Sequence, residues 1–420
     1  MGKKLVLLYH RINNTKNDYN RITVEEEYFR AHMSFLKENY KVITFEEMLS
    51  YEGEDDAVTI TFDDGFSDFY EKALPVLMEY EIPATVFITT GKLDTTTELW
   101  TTDILRMLFE DEVKIEELKI ELFRQRVILP IFTIEQRAEA YRILRHILMQ
   151  LGENARESVL DSIREQLEID PRGRNEYLFM SKKEVREIGN NPLITIGAHT
   201  VNHISMSRVD DMELLREVQD SIRDLESILE RKIKYFAYPF GGKNEYSDKA
   251  VDILRQCGIE AACAVEGEIL DSIQDDIYRI SRLNIGNWPL ELFRDKLEQY
   301  ISNKEPCENI QSEQQLSFIG KLESDTRLWK SDRKIVIWGT GIKGQNLYEK
   351  LSRNGQAERI LAFGDNNEAM WGHKIDNTPI WNVEQVKKMK DVEVVFSNVH
   401  DMQLFQQFIG ENLQNLHWII

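Results

Sequence analysis

Cysteine is scarce in this chain: Cys257, Cys263 and Cys307 are the only three in 420 residues. Three thiols build no disulfide framework, and their spacing matches no zinc knuckle, so each reads as a reduced structural thiol. Long hydrophobic runs are missing as well. After Lys3 and Lys4 the apolar stretch Leu5-Val6-Leu7-Leu8 stops at Tyr9-His10-Arg11, short of the roughly 7–15 residues of a signal-peptide core. No segment approaches the roughly 20 apolar residues of a membrane span. Gly2 is no myristoylation site, because Val6 stands where that motif needs Ser or Thr. Together these absences predict a cytoplasmic protein without an integral membrane segment. Basic charge is in deficit too. Fifty-two Lys and Arg against 73 Asp and Glu leave a net charge of −21, a surface that repels phosphate backbones and anionic lipid, so nucleic acid is not an expected partner.

What remains is an ordinary globular composition, 42% hydrophobic and 30% charged, in a chain longer than one core usually serves. Two or three domains are expected. Leu5 to Tyr9 and Ala57 to Phe62 read as buried strands, Phe69 to Tyr80 as a helix, and Ala84 to Ile88 as a third strand. That strand–helix–strand spacing is a βαβ unit and argues for a parallel sheet. Residues 93–190 turn charged and leucine-bearing, with helices expected over Glu135 to Leu151 and Ala155 to Leu167; they read as a helical insertion. The sheet resumes at Ile194 to Ile196. A strongly amphipathic helix follows at Met212 to Glu230, then a strand at Tyr235 to Tyr238, a helix at Ser247 to Gln256, an apolar segment at Ala261 to Val265 and a helix at Pro289 to Tyr300. Residues 303–330 read as a linker. At Lys334 a new strand begins, which gives three regions: 1–302, the linker, and 331–420.

Three short segments fall at expected strand ends, where parallel sheets place their sites. They are Thr61-Phe62-Asp63-Asp64-Gly65, His199-Thr200-Val201-Asn202-His203 and Phe236-Ala237-Tyr238-Pro239-Phe240-Gly241. Adjacent aspartates repel unless a cation or another partner holds one. Two histidines four residues apart turn toward one point as metal-binding pairs do. One carboxylate with two imidazoles leaves coordination positions open for water and substrate, and frees the second aspartate to act as a base.

These segments resemble the motifs of the polysaccharide deacetylases, the NodB-homology or carbohydrate esterase family 4 enzymes. Thr-Phe-Asp-Asp-Gly matches their first motif, and His199 to His203 resembles the second, His-[Ser/Thr]-x-x-His. The resemblance covers about residues 1–300 and implies an α/β fold, a deformed (β/α) barrel of about seven strands. It implies Asp63 as general base, with Asp64, His199 and His203 as ligands of a divalent metal: zinc first, with iron, cobalt or nickel compatible with the same donors. The third motif, Arg-x-Pro-[Tyr/Phe]-Gly, falls on Ala237 to Gly241, which implies that the Phe240 N–H serves the oxyanion. Two positions depart from the pattern. Ala237 stands where an arginine usually braces the base, which puts the tuning of Asp63 in question. The late histidine that acts as general acid has no counterpart around Arg282-Leu283-Asn284-Ile285. Tyr9-His10-Arg11 instead resembles the opening of the circularly permuted poly-N-acetylglucosamine deacetylases, which implies His10 as the acid. Trp100 reads as a sugar-stacking residue or as core. Arg279 and Arg282 read as partners of acids near the site or as surface ion pairs. His32, His146, His373, His400 and His417 match no motif and read as surface or packing residues.

In the last region, Ile335-Val336-Ile337-Trp338 runs into Gly339-Thr340-Gly341-Ile342-Lys343-Gly344, and Asp365 ends a second expected strand. Glycines allow close approach to phosphate, and an acid at the next strand end is placed to bind a ribose hydroxyl. The region is too short for a full dinucleotide fold. With Asp365-Asn366-Asn367, Gly372 and Pro379-Ile380 it resembles the N-terminal module of bacterial sugar O- and N-acyltransferases. That implies a Rossmann-like domain with a nucleotide or nucleotide-sugar site at Gly339, Gly341, Gly344 and Asp365; a docking domain that binds nothing is the alternative. The function expected of the whole chain is removal of an N-acetyl or N-formyl group from an amino sugar, nucleotide- or lipid-linked, during surface-glycan assembly. An amide hydrolase on a non-sugar substrate and a catalytically idle sugar-nucleotide-binding scaffold are the alternatives.

Overall fold

The computed structural model describes residues 2–14, 18, 20–110, 113–122, 125–265, 276–302, 333–353, 355–365, 367–389, 392–396 and 416–418. The expected linker at 303–330, with Cys307, and also His400 lie outside the described residues. By internal contacts the chain divides into two compact units. One is Met1–Arg106, Met149–Glu157 and Ile169–Phe318; the other is Met107–Leu148, Ser158–Glu168 and Ile319–Ile420.

The first unit is organised by short, apolar, β-branched strands. They are β1 (Lys4–Tyr9), β2 (Arg11–Ile12), β3 (Thr23–Val24), β4 (Lys41–Val42), β5 (Ala57–Phe62) and β6 (Ala84–Ile88). Beyond the insertion, whose hairpin is β7 (Glu117–Leu122) and β8 (Gln125–Pro130), come β9 (Ile194–Ala198), β10 (Tyr235–Ala237), β11 (Ala261–Cys263) and β12 (Leu283–Asn284). The main sheet runs β11-β10-β9-β6-β5-β1-β12, with β4 against β5, and its pairings are parallel. Its two ends meet. Ile280 bridges Cys263 of β11, exchanging hydrogen bonds with Ala262 and Ala264, and just beyond it Leu283 and Asn284 pair with Leu7 and Leu8 of β1. The sheet is therefore an irregular parallel (β/α) barrel, closed through the segment from Ile280 to Asn284.

Strands covered on both faces need apolar residues on both, and these have them. Val6, Phe87, Ala237, Cys263 and Ile280 point to the interior, where Phe45 and Met48 of the short helix Phe45–Leu49 join them. Leu7, Tyr9, Ile60, Phe62, Val86 and Ile196 face outward against the surrounding helices. The helix Asp211–Leu229 lays Leu214, Val218 and Leu225 against this outer layer. The helix expected from Phe69 begins instead as a π-helical turn, Phe69–Ala73, and becomes α-helical over Leu74–Glu79; Pro75, near the α-helical start, has no N–H for the preceding ladder.

The region 93–190 contains the expected helices, Ile134–Leu148 and Glu153–Leu167, but it is not purely helical. β7 and β8 form an antiparallel hairpin with Leu118, Ile120, Val127 and Leu129 buried. Gln166 clasps this hairpin by exchanging hydrogen bonds with both backbone groups of Lys119.

The second unit also holds a six-stranded, mainly parallel sheet, in the order β15-β16-β14-β13-β17-β18. Its strands are β13 (Lys334–Trp338), β14 (Ile360–Gly364), β15 (Lys374–Ile375), β16 (Thr378–Trp381), β17 (Val392–Phe396) and β18 (Leu416–Trp418). β15 is the antiparallel edge. Central β13 leads through a glycine turn into the helix Ile342–Arg353.

Candidate active site

Each motif leaves a barrel strand at its C-terminal end. Asp63 follows β5, and its N–H bonds to the Tyr9 carbonyl. Asp64 takes a left-handed backbone (φ 72°) ahead of Gly65 (φ 86°). This conformation is uncommon outside glycine, though aspartate tolerates it better than most. Its carbonyl accepts from Thr89 at the end of β6, so the reversal sends the two neighbouring carboxylates in different directions. His199 is held at the end of β9 by its N–H to the Ile88 carbonyl.

Asp64, His199 and His203 are all buried, and one ligand atom from each lies within 4.8 Å of the others. The Nε2 atoms of His199 and His203 stand 3.4 Å and 3.2 Å from Asp64 Oδ1. That oxygen nevertheless accepts no hydrogen bond of acceptable geometry among the described residues. His199 Nδ1 lies 2.7 Å from the Ala237 carbonyl, a contact that requires a proton on Nδ1 and turns Nε2 toward Asp64. A backbone carbonyl behind an imidazole is the usual partner of a metal-bound histidine. The donor set, its burial and the fixed tautomer all fit a divalent cation. Burial alone would raise the Asp64 carboxyl, but the imidazoles of His203 and His199 outweigh it and hold it well below the ordinary carboxylate value.

Asp63 has a different partner. Arg282, fully buried on the segment that closes the barrel, donates from Nη1 to Asp63 Oδ1 and from Nη2 to Oδ2, both at 2.7 Å. The arginine missing at position 237 is thus supplied by the segment just before β12, and both carboxylate oxygens of Asp63 are held. Burial raises the Asp63 carboxyl, and Arg282 with the charge of His199 pulls it below its ordinary value. Arg279, by contrast, turns to the surface and pairs with Asp276 and Asp248.

His10 sits at the end of β1, and its Nδ1 is buried with no hydrogen-bond partner among the described residues. Burial lowers its pKa, opposed by the charges of Asp64 and Asp63; the same two carboxylates are thus within electrostatic reach of His10. Phe240 is half-buried, with a left-handed backbone (φ 63°), and its ring meets that of His203 edge-on at 4.6 Å. Trp100 is only 2% exposed. Phe240 lies against its edge and the Arg156 guanidinium over its face, so Trp100 is a packing residue and offers no open face for sugar stacking. His32 is likewise a packing residue, stacked 3.8 Å from Phe293.

In the second unit Gly339 has φ 106° and donates to the Gly364 carbonyl. Asp365 Oδ2 accepts from the Thr340 N–H at 3.0 Å and from the Thr340 hydroxyl, and Oδ1 accepts from Asn367 N–H. The carboxylate therefore staples the glycine turn to the end of β14. A side chain at Gly341 would meet open space, while Gly344 is buried in the helix.

A parallel barrel that gathers an aspartate and two histidines at its strand ends defines the domain as a NodB-like barrel. Residues 50–117 and 126–262 match the family model described as polysaccharide deacetylase, which supports a domain of that kind in this region of the chain. Among curated relatives, YxkH of Bacillus subtilis (strain 168), named for the same family, is 38% identical over 93 residues, which is 21% of this chain and 32% of that protein. The poly-beta-1,6-N-acetyl-D-glucosamine N-deacetylase of Staphylococcus aureus (strain MSSA476) is 34% identical over 104 residues, 21% of this chain and 36% of that protein. The alignments thus span about a third of these relatives. A solved structure, the Streptococcus pyogenes deacetylase PplD in complex with acetate, aligns with 70% of this chain and 97% of its own, at 17% identity and a TM-score of 0.45.

Proposed function

We propose that the chain is a metal-dependent hydrolase that removes an N-acyl group, acetyl or formyl, from an amino sugar. The observation that carries this reading is the division of two adjacent carboxylates, Asp64 toward two imidazoles and Asp63 toward a guanidinium. A carboxylate shared with histidines suits a cation, and one gripped by arginine stays ionised and fixed in direction, as a base must. A divalent metal at such a site, zinc before iron, cobalt or nickel, polarises a carbonyl and acidifies water.

The roles then follow from position. Asp64, His199 and His203 hold the cation. Asp63 takes the proton of the attacking water. The Phe240 N–H donates to the oxyanion that develops on the acyl carbon. His10 delivers a proton to the departing amine nitrogen, and the carboxylic acid leaves as acetate or formate. Arg282 removes the main support of the idle-scaffold alternative, which rested on an unbraced Asp63.

The substrate we propose is a nucleotide-linked amino sugar handled in the cytoplasm, with a lipid-linked sugar as the second choice. Supporting it are the glycine turn at Gly339, Gly341 and Gly344 with Asp365 at the adjacent strand end, an arrangement suited to a nucleotide or nucleotide-sugar. No helix among the described residues is long and apolar enough to cross a membrane. The test is acetate or formate release from a panel of nucleotide-linked N-acylated sugars, with and without chelator. Chelator-sensitive release supports the reading and identifies the carrier. If zinc-loaded protein releases nothing from these or from lipid-linked sugars, the reading is wrong.

A further inference from the structure

The segment joining His199 to His203 makes an unusual demand on its backbone. Thr200 (φ 60°) and His203 (φ 50°) are both left-handed without being glycine, a conformation that persists only where surroundings enforce it. The amides of Val201 and Asn202 lie beyond the last sheet pairing of β9 and need acceptors of their own. A single side chain supplies them. Glu217, in the helix Asp211–Leu229 and 1% exposed, accepts from Val201 N–H and Asn202 N–H at Oε2, both at 2.9 Å, and from Asn202 Nδ2 at Oε1 at 2.7 Å.

The opposite side of the segment is held as well. Thr90 and Gly91 donate to the carbonyls of Thr200 and Val201 at 3.2 Å and 2.8 Å. Arg156, itself buried, donates to the Asn202 carbonyl at 3.2 Å. A buried carboxylate is costly unless fully hydrogen-bonded, and bonds to a charged acceptor are about twice as strong as neutral ones. Glu217 is thus placed where its charge is spent on two backbone amides between the histidines.

We infer that Glu217 is a positioning residue for the histidine pair, setting the distance and direction at which the two imidazoles face Asp64. This rests on the proposed cation site and adds a residue to it that touches neither cation nor substrate. Its consequence is specific. Without Glu217 the segment relaxes toward ordinary backbone angles, the two Nε2 atoms lose their common focus, and cation affinity falls even in a folded chain.

The experiment is zinc titration of the full chain against a chromogenic chelator, alongside the visible absorption spectrum of the cobalt-loaded protein. Glu217→Ala is expected to weaken zinc binding about 10–100-fold and to alter the cobalt spectrum. Glu217→Gln keeps one acceptor oxygen and is expected to fall between it and the parent chain. Asn202→Ala removes only the side-chain bond and tests the same clamp without emptying the buried site, so a collapsed Glu217→Ala chain still leaves two variants to decide. A loss of melting temperature with unchanged zinc affinity and cobalt spectrum in the folded variants overturns the positioning role. A parent chain that binds no zinc overturns the proposed function beneath it, a result distinguishable from the first.

Discussion

Arg282 and Asp63, 219 positions apart in the chain, face each other fork to fork in the barrel interior, with both N···O distances 2.7 Å. Two parallel bonds fix the plane of a carboxylate as well as its charge. Arg282→Lys keeps the charge and gives up the fork. We expect it to fold and to lower the rate of acyl release about 100-fold, the scale of a misplaced reacting group. Arg282→Ala leaves Asp63 buried without its counter-charge and should cost about 3–5 kcal/mol of stability, read from urea denaturation. A lysine variant with the parent rate would show that orientation of Asp63 does not matter.

The two aspartates should separate cleanly by metal content. Asp63→Asn is expected to retain the cation and lose turnover, whereas His199→Ala should lose both. Elemental analysis of the purified variants, paired with the acyl-release assay, checks this. Cation loss from Asp63→Asn would mean that the carboxylates share the ligand role.

His10 follows the first strand directly, and its buried Nδ1 has no hydrogen-bond partner among the described residues. His10→Ala should keep the cation and slow turnover by about 10²–10⁴-fold, the usual worth of a positioned acid. A parent-like rate would move the acid role to another residue.

His32 gives a prediction about stability alone. Its Nε2 lies 2.8 Å from the Trp288 carbonyl and its Nδ1 3.2 Å from the Tyr9 hydroxyl, so the neutral ring is satisfied on both sides. Burial holds its pKa at about 4, against an ordinary value of 6.5, with the Trp288 bond opposing. The unfolded chain therefore takes up a proton that the folded chain refuses. The contribution is present above pH 6.5 and is lost as pH falls through 4, about 3 kcal/mol across that window. In His32→Gln the slope of unfolding free energy between pH 6.5 and 4 should flatten; an unchanged slope would assign the acid sensitivity elsewhere.

The positions of Asp63, Asp64, His199 and His203 were legible because each motif is a short run at a strand end, where chemistry and local backbone coincide. Arg282 was harder to read. It grips Asp63 across a barrel closure that no local pattern announces, and in sequence it looks the same as Arg279, which ends at the surface. Glu217 was hidden for a related reason: an acid on a long amphipathic helix reads as a solvated face until the loop amides opposite it are seen. The β7–β8 hairpin is a different case. Glu117-Leu118-Lys119-Ile120-Glu121-Leu122 alternates with strand period, and the charged helices around it drew it into a helical reading. Trp100 shows that an aromatic residue can be covered by its own neighbours.

The segment that closes the ring also carries the arginine that grips Asp63. Ile280 joins β11, Leu283 and Asn284 join β1, and Arg282 lies between. During synthesis, then, a nascent chain can lay down both aspartates and both histidines long before Asp63 is held. Only when residues beyond 284 have left the ribosome does seating the last strand complete the scaffold and orient Asp63 in one event, which makes the grip on Asp63 a mark of the finished barrel.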